Sequence, residues 1–131
     1  MDTSLPQPGL DALGIFERLS AAEKTALAAE LEIVPVTRGE ALVRQGDPAD
    51  ALYVVVSGRF AVLLDGHKEP ITEIGPDQPI GEIAFLTGGL RTATVRAMRD
   101  ALVLKLDRAD FDKLAETRPQ IWKSLTTTLA Q

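Results

Sequence analysis

The sequence of 131 residues contains no cysteine. That excludes a disulfide framework and a thiolate metal site, and it fits a reducing compartment. There is a single histidine, His67. One histidine leaves no multi-histidine metal centre, which argues against a metal-dependent enzyme of the cupin sort. It also gives Ser20 and Ser57 no partner for nucleophilic catalysis. His67 lies beside Asp65–Gly66 at an expected hairpin tip, where a lone histidine is ordinarily solvent-facing. Positive charge is in the minority, with 14 Lys and Arg against 19 Asp and Glu and a formal net charge of −5. Such a surface repels phosphate backbones, so no nucleic-acid partner is expected through this chain. No apolar run approaches the ~20 residues that span a bilayer, so no membrane contact is expected either. Met1–Gly9 carries no basic stretch followed by an apolar one, the pattern of a secretion signal, and a cytoplasmic location is expected.

What is present is enough for one domain, which at this length hides roughly two-thirds of its unfolded surface. Residues 1–9, with Pro6 and Pro8, read as a loose lead-in, and residues 10–131 as the folded unit. Within it, residues 10–32 read as helical. Leu10, Leu13, Ile15 and Phe16 mark a first turn or two. Ser20 stands three residues before Glu23, a capping-box signal, and Leu27 and Leu31 share the following helix face.

Residues 33–107 change character. Short apolar runs alternate with turn residues: Ala41–Arg44, then Gln45-Gly46-Asp47-Pro48; Ala51–Val56, then Ser57–Gly58; Phe60–Leu64, then Asp65–Gly66, a two-residue hairpin signal. In Thr92–Ala97, Thr92, Thr94 and Arg96 occupy one side and Ala93, Val95 and Ala97 the other. Leu102, Leu104 and Leu106 alternate with Val103, Lys105 and Asp107. Many short strands without interleaved helices predict a mainly β fold of the sandwich, jelly-roll or barrel kind. Residues 108–131 return to helix. Asp107 is placed as an N-cap, with Leu106 and Phe111 as its hydrophobic staple. Pro119 opens a second helix with an Ile121, Leu125, Leu129 stripe and Trp122 beside it.

One segment carries chemistry: Ile80-Gly81-Glu82-Ile83-Ala84-Phe85-Leu86-Thr87-Gly88-Gly89-Leu90-Arg91-Thr92-Ala93-Thr94-Val95. Gly81 allows close backbone approach to a ligand. The short apolar turn after it offers leading amides to an anion. Arg91 supplies a planar fork that matches phosphate oxygens, and Glu82 an acceptor suited to a sugar hydroxyl. Acid, arginine and free amides are what a ribose phosphate requires.

This segment resembles the phosphate-binding cassette of the cyclic nucleotide-binding domain family. A second landmark, from Gly39–Glu40 through Gly46-Asp47-Pro48 to the apolar strand ending at Gly58, is similar to the family in the same order and separation. The resemblance covers about residues 10–117. It implies an antiparallel β-roll of about eight strands flanked by N- and C-terminal helices. It also implies a regulatory domain rather than an enzyme, with cyclic AMP or cyclic GMP as ligand and no other cofactor or metal. Residue by residue, Glu82 accepts the ribose 2′-hydroxyl, Arg91 pairs with the cyclic phosphate, and the amides of Ile83, Ala84 and Thr92 complete the cradle. The Thr92 hydroxyl reaches the phosphate or a guanine amino group, which leaves both nucleotides open. Val62 and Leu64, with Ile80 nearby, are the candidates to lie under the base, and Trp122 or Leu125 is the candidate lid. The resemblance further implies a switch in which ligand binding moves the C-terminal helices. Two other readings compete: an interaction module that keeps the fold without ligand, and the sensor piece of a transcription regulator. The effector domain, in either case, is absent from this chain.

Overall fold

A computed structural model describes residues 20–117. The first element is helix α1, Ala21–Ala28, and its start follows from the capping box. Glu23 N donates to Ser20 Oγ at 3.1 Å and Ser20 N donates to Glu23 Oε1 at 2.9 Å, so two end amides are satisfied reciprocally. The helix is shorter than the expected helical span, because Glu32 already pairs as the first residue of a strand. Residues 10–19, also expected to be helical, lie outside the described residues.

Eight strands follow: β1 Glu32–Val36, β2 Ala41–Val43, β3 Ala51–Ser57, β4 Phe60–Leu63, β5 Thr72–Ile74, β6 Pro79–Ile80, β7 Thr94–Ala97 and β8 Ala101–Asp107. Helix α2, Glu82–Thr87, interrupts them between β6 and β7, and α3, Arg108–Thr117, closes the described chain. The strands form two four-stranded antiparallel sheets, one in the order β1-β8-β3-β6 and the other β2-β7-β4-β5. The expected mainly β roll is therefore what forms. Among the described residues no helix is long and apolar enough to cross a membrane.

The two faces of the first sheet serve two cores. Leu52 pairs with Leu106 and Val54 with Leu104, and these four side chains pack with Leu27, Phe85, Phe111 and Leu114 from the three helices and with Leu31 from the segment after α1. Val55 pairs with Val103 on the opposite face, where both meet Phe60, Val62 and Val95 of the second sheet. A strand buried on both faces reads as a continuous apolar run, which is why Ala51–Val56 lacks alternation. The same arrangement corrects the alternation expected of β8. Val103, expected on the side of Lys105 and Asp107, is fully buried against the second sheet, and Leu102, on the side of Leu104 and Leu106, is 39% exposed.

Two turns also differ from expectation. Asp65–Gly66 does not make a two-residue hairpin; β4 and β5 are joined by residues 64–71, with Ile71 N donating to Val62 O. The intervening His67-Lys68-Glu69-Pro70 is exposed and Pro70 lacks the amide that a longer ladder would use. Asp107 does precede α3, but its carboxylate faces Lys105 Nζ at 3.6 Å, and the first helical amide, Arg108 N, donates to Asp50 O instead. Gly58 is a turn glycine as expected, with φ +94°, and a Cβ there would stand 2.4 Å from Ala101 Cβ.

Candidate ligand site

A cavity of about 370 Å³ opens where α2 and the segment after it lean on the second sheet. That volume falls in the range of small-molecule sites, roughly 300–1,000 Å³. One wall is a row across the sheet. Val62 of β4 pairs with Val95 of β7, which pairs in turn with Val43 of β2, and all three line the cavity. The other wall is Gly81, Ala84 and Thr87 of the α2 region together with Gly89, Leu90, Arg91, Thr92 and Ala93.

Gly81 sets the geometry of that second wall. It caps α2 in the left-handed region, φ +65° and ψ +35°, and its carbonyl accepts from Phe85 N at 3.2 Å. The amides of Glu82, Ile83 and Ala84 precede this first intrahelical bond and so lack partners within the helix. The space where a Gly81 side chain would stand is filled by Arg91, whose Nη1 lies 2.5 Å from the ideal Cβ position. Gly81→Ala is therefore strained twice, in φ and in contact. It should lower the denaturation midpoint and weaken ligand binding together; unchanged values of both in chemical denaturation and calorimetry would disprove the geometry.

Arg91 is the one charged side chain buried among the described residues, with 4% of its surface exposed. Its Nη2 donates to Ala51 O at 2.6 Å and its Nη1 to Gly81 O at 3.2 Å, and its Cζ lies 5.8 Å from the centre of the Tyr53 ring. Among the described side chains no carboxylate lies within ion-pairing distance of it. Burial holds the guanidinium below its usual pKa because desolvation penalises the charge; Tyr53 and Asp50 pull it back, and Arg108 adds to the depression. An arginine stays charged through such a shift. Among the described residues the buried cation is thus held by two carbonyl dipoles and the Tyr53 ring, with no carboxylate in ion-pairing contact, at the edge of a cavity, an arrangement suited to an anionic ligand. Behind the guanidinium a second, more polar cavity of about 230 Å³ is lined by Arg44, Asp47, Asp50 and Tyr53 among others.

The backbone around Arg91 is pinned to the β2–β3 loop. Arg91 N donates to Asp47 O at 2.8 Å, Gly46 N to Arg91 O at 2.8 Å, and Ala49 N to Gly89 O at 3.1 Å. The Gly46-Asp47-Pro48 landmark is therefore a support for the cassette, although its residues sit more than forty positions upstream in the sequence.

Of the residues expected at the site, Gly81, Ala84, Arg91, Thr92 and Val62 line the cavity. Glu82 and Ile83 open α2 beside it. Leu64 does not reach the wall, since it falls past the end of β4 in the turn before His67. Ile80 is fully buried between the sheets and supports the wall from behind. Trp122 and Leu125 lie outside the described residues. Sequence reasoning did not pick out Val43, Ile74, Thr87, Leu90 or Val95 as lining residues. Val95 carried a signal, since the alternation of β7 already put it on the inward side; Val43 and Ile74 join only through cross-strand pairing. Among the described residues no group of His, Asp and Glu is placed to hold a metal.

A β-roll with a glycine-capped short helix and a buried arginine at a small cavity is the architecture of a small sensor-type domain, and similarity to known proteins gives its family. The sequence pattern of the cyclic nucleotide-binding domain matches residues 33–118, and the chain belongs to that family. The chain is 36% identical to a lysophospholipase, nte1, of Aspergillus oryzae over 104 residues, 77% of this chain but 7% of that protein. It is 34% identical to the cAMP-dependent protein kinase regulatory subunit of Dictyostelium discoideum over 111 residues, 80% of this chain and 34% of the relative. The crystal structure of the N-terminal domain of a transcriptional regulator from Streptomyces coelicolor superposes with a TM-score of 0.80 at 30% identity, covering 93% of this chain and 89% of that one. The chain thus spans a minor part of these curated relatives, and the part it shares with the lysophospholipase is the cyclic nucleotide-binding domain.

Proposed function

We propose that the chain is a cyclic AMP sensor that passes ligand occupancy to its C-terminal helix. The observation that carries this reading is Arg91, buried and cationic at the cavity wall, with its guanidinium donating to the Gly81 and Ala51 carbonyls and to no carboxylate among the described side chains. The cyclic phosphate pairs with Arg91 and with the leading amides of α2 at Ile83 and Ala84 and the amide of Thr92. Glu82, by the family pattern, accepts the ribose 2′-hydroxyl. The base lies on the Val62–Val95–Val43 row, an apolar ledge that suits a purine face. Trp122 or Leu125 covers it.

The path to α3 is short. Phe85 of α2 packs edge-to-face on Phe111 of α3, with ring centres 5.0 Å apart and planes at 80°. A ligand that fixes α2 biases α3 to the extent that it binds one arrangement of the pair more tightly than the other. The kinase regulatory subunit among the relatives is named for cyclic AMP, which supports that nucleotide as the first to test. A second reading, cyclic GMP, is favoured by Thr92, a hydroxyl-bearing residue that lines the cavity next to Arg91.

Calorimetric titration of the chain with cyclic AMP, cyclic GMP and linear 5′-AMP tests this directly. Saturable binding of cyclic AMP, tighter than of the other two, is the expected result. Tighter cyclic GMP would transfer the assignment to the second reading, and no binding of either cyclic nucleotide would leave an interaction module.

A further inference from the structure

Two arginines hang from one short stretch of backbone. Ala51 O accepts from Arg91 Nη2 at 2.6 Å. Ala49 O accepts from Arg108 Nη2 at 3.2 Å, and Asp50 O, between them, accepts from Arg108 N at 2.9 Å. The Ala49–Ala51 segment is therefore a rail of carbonyls that joins the first residue of α3 to the buried arginine of the cavity. Arg108 makes a third attachment. The same Nη2 donates to Phe85 O on α2, and its Cζ stands 4.1 Å from the centre of the Phe85 ring. One half-buried guanidinium thus holds the rail, α2 and α3 together. Arg91 has the matching pair of acceptors, one on the rail and one at the other end of α2, Gly81 O.

We propose that Arg108 is a positioning residue of the ligand site, which by gripping Ala49 and Phe85 sets the gap between rail and α2 in which Arg91 hangs, and makes α3 part of that gap. The inference rests on the ligand reading above for its second half and on geometry alone for its first. If the gap between the Ala51 and Gly81 carbonyls widens, Arg91 cannot bond both, because its fork has fixed dimensions. Arg108 is suited to the grip for the same reason: a planar fork can stack on a ring face while donating to carbonyls at its edge, and a lysine ammonium cannot do both. Its charge is also felt at Arg91. A phosphate bound at Arg91 would relieve that repulsion, which ties occupancy of the cavity to the start of α3.

The test is made on the full chain with Arg108→Gln, Arg108→Met and Arg108→Lys. Side-chain NMR of the ligand-free protein reads the guanidinium protons of Arg91, which exchange slowly while both carbonyls hold them. In the parent these signals are expected to be resolved. In Arg108→Gln and Arg108→Met they broaden or vanish while the spectrum of the sheets is retained, and Arg108→Lys restores them in part. Cyclic AMP affinity falls about tenfold in the first two variants, in line with loss of a charge-assisted hydrogen bond. The ligand-dependent protection of α3 amides against hydrogen exchange is lost with it. Unchanged Arg91 guanidinium signals in Arg108→Gln overturn the proposal whatever the ligand. A parent that binds no cyclic nucleotide overturns the sensor reading instead, and the ligand-free signals then decide the role of Arg108 on their own.

Discussion

Arg91→Ala should weaken cyclic nucleotide binding by about 2–5 kcal/mol, roughly thirty- to several-thousand-fold. The size follows from where the charge sits. With 4% of its surface exposed, Arg91 has already lost its water in the folded protein, so a phosphate meets a cation that need not be desolvated again. Its removal leaves a ligand charge facing Gly81 O and Ala51 O, two acceptors that repel it. The substitution acts on the free protein too. Ala51 O loses the guanidinium as donor, at about 1–3 kcal/mol where that leaves it buried and unpaired, whereas Gly81 O keeps Phe85 N. The cost of burying the cation disappears at the same time, so the net change in folding stability is smaller than the change in affinity. Arg91→Lys keeps the charge and loses the fork, and is expected between parent and alanine. Calorimetry gives the affinities and urea denaturation the stabilities. Equal affinity of Arg91→Ala and parent would remove Arg91 from the site.

Phe85→Ala should cost about 3–5 kcal/mol of folding stability, a large part of the 5–15 kcal/mol of a domain this size. Phe85 is fully buried, and its ring meets two residues of α3, Phe111 in a T-shaped contact and Arg108 over its face. Truncation removes the apolar contact, opens a cavity between α2 and the first sheet, and strips the ring from under Arg108. The midpoint of urea denaturation should fall accordingly, with the slope unchanged. A loss under about 1 kcal/mol would show that the site collapses around alanine and that Phe85 is not the keystone of the helical core. Phe85→Leu, which keeps most of the volume, is the variant for ligand work. It is expected to stay folded and bind, while ligand protects the amides of α3 less than in the parent, because the edge-to-face contact with Phe111 is gone.

Much of the site was legible in the sequence because its chemistry is local. Gly81, the α2 turn and Arg91 lie within eleven consecutive residues, and each is the residue type that its task demands. Gly81 is needed for a positive φ, the apolar turn for packing, and the arginine for an anion. The sequence reading offers Leu64, with Val62, as an apolar strand residue to lie under the base, and Ile80 as a residue nearby. In the structure β4 ends one residue short of Leu64, and Ile80 turns into the space between the sheets.

By itself, then, the sequence determined the kind of fold and the place of the candidate site: period-two strands with turn residues between them, and a glycine-acid-arginine cassette like that of the family. The tertiary structure alone decided which groups act together. Val43, Val62 and Val95 stand on three strands and become one ledge only when the ladders set their register. Ala49 and Ala51 are ordinary in sequence, and their carbonyls become acceptors of Arg108 and Arg91 only because the β2–β3 loop is folded against the cassette. The physical reason is that residue type fixes what a side chain can do, whereas a backbone carbonyl is present at every position. Which carbonyls receive a buried charge is set by where the chain brings them, and no residue name records it.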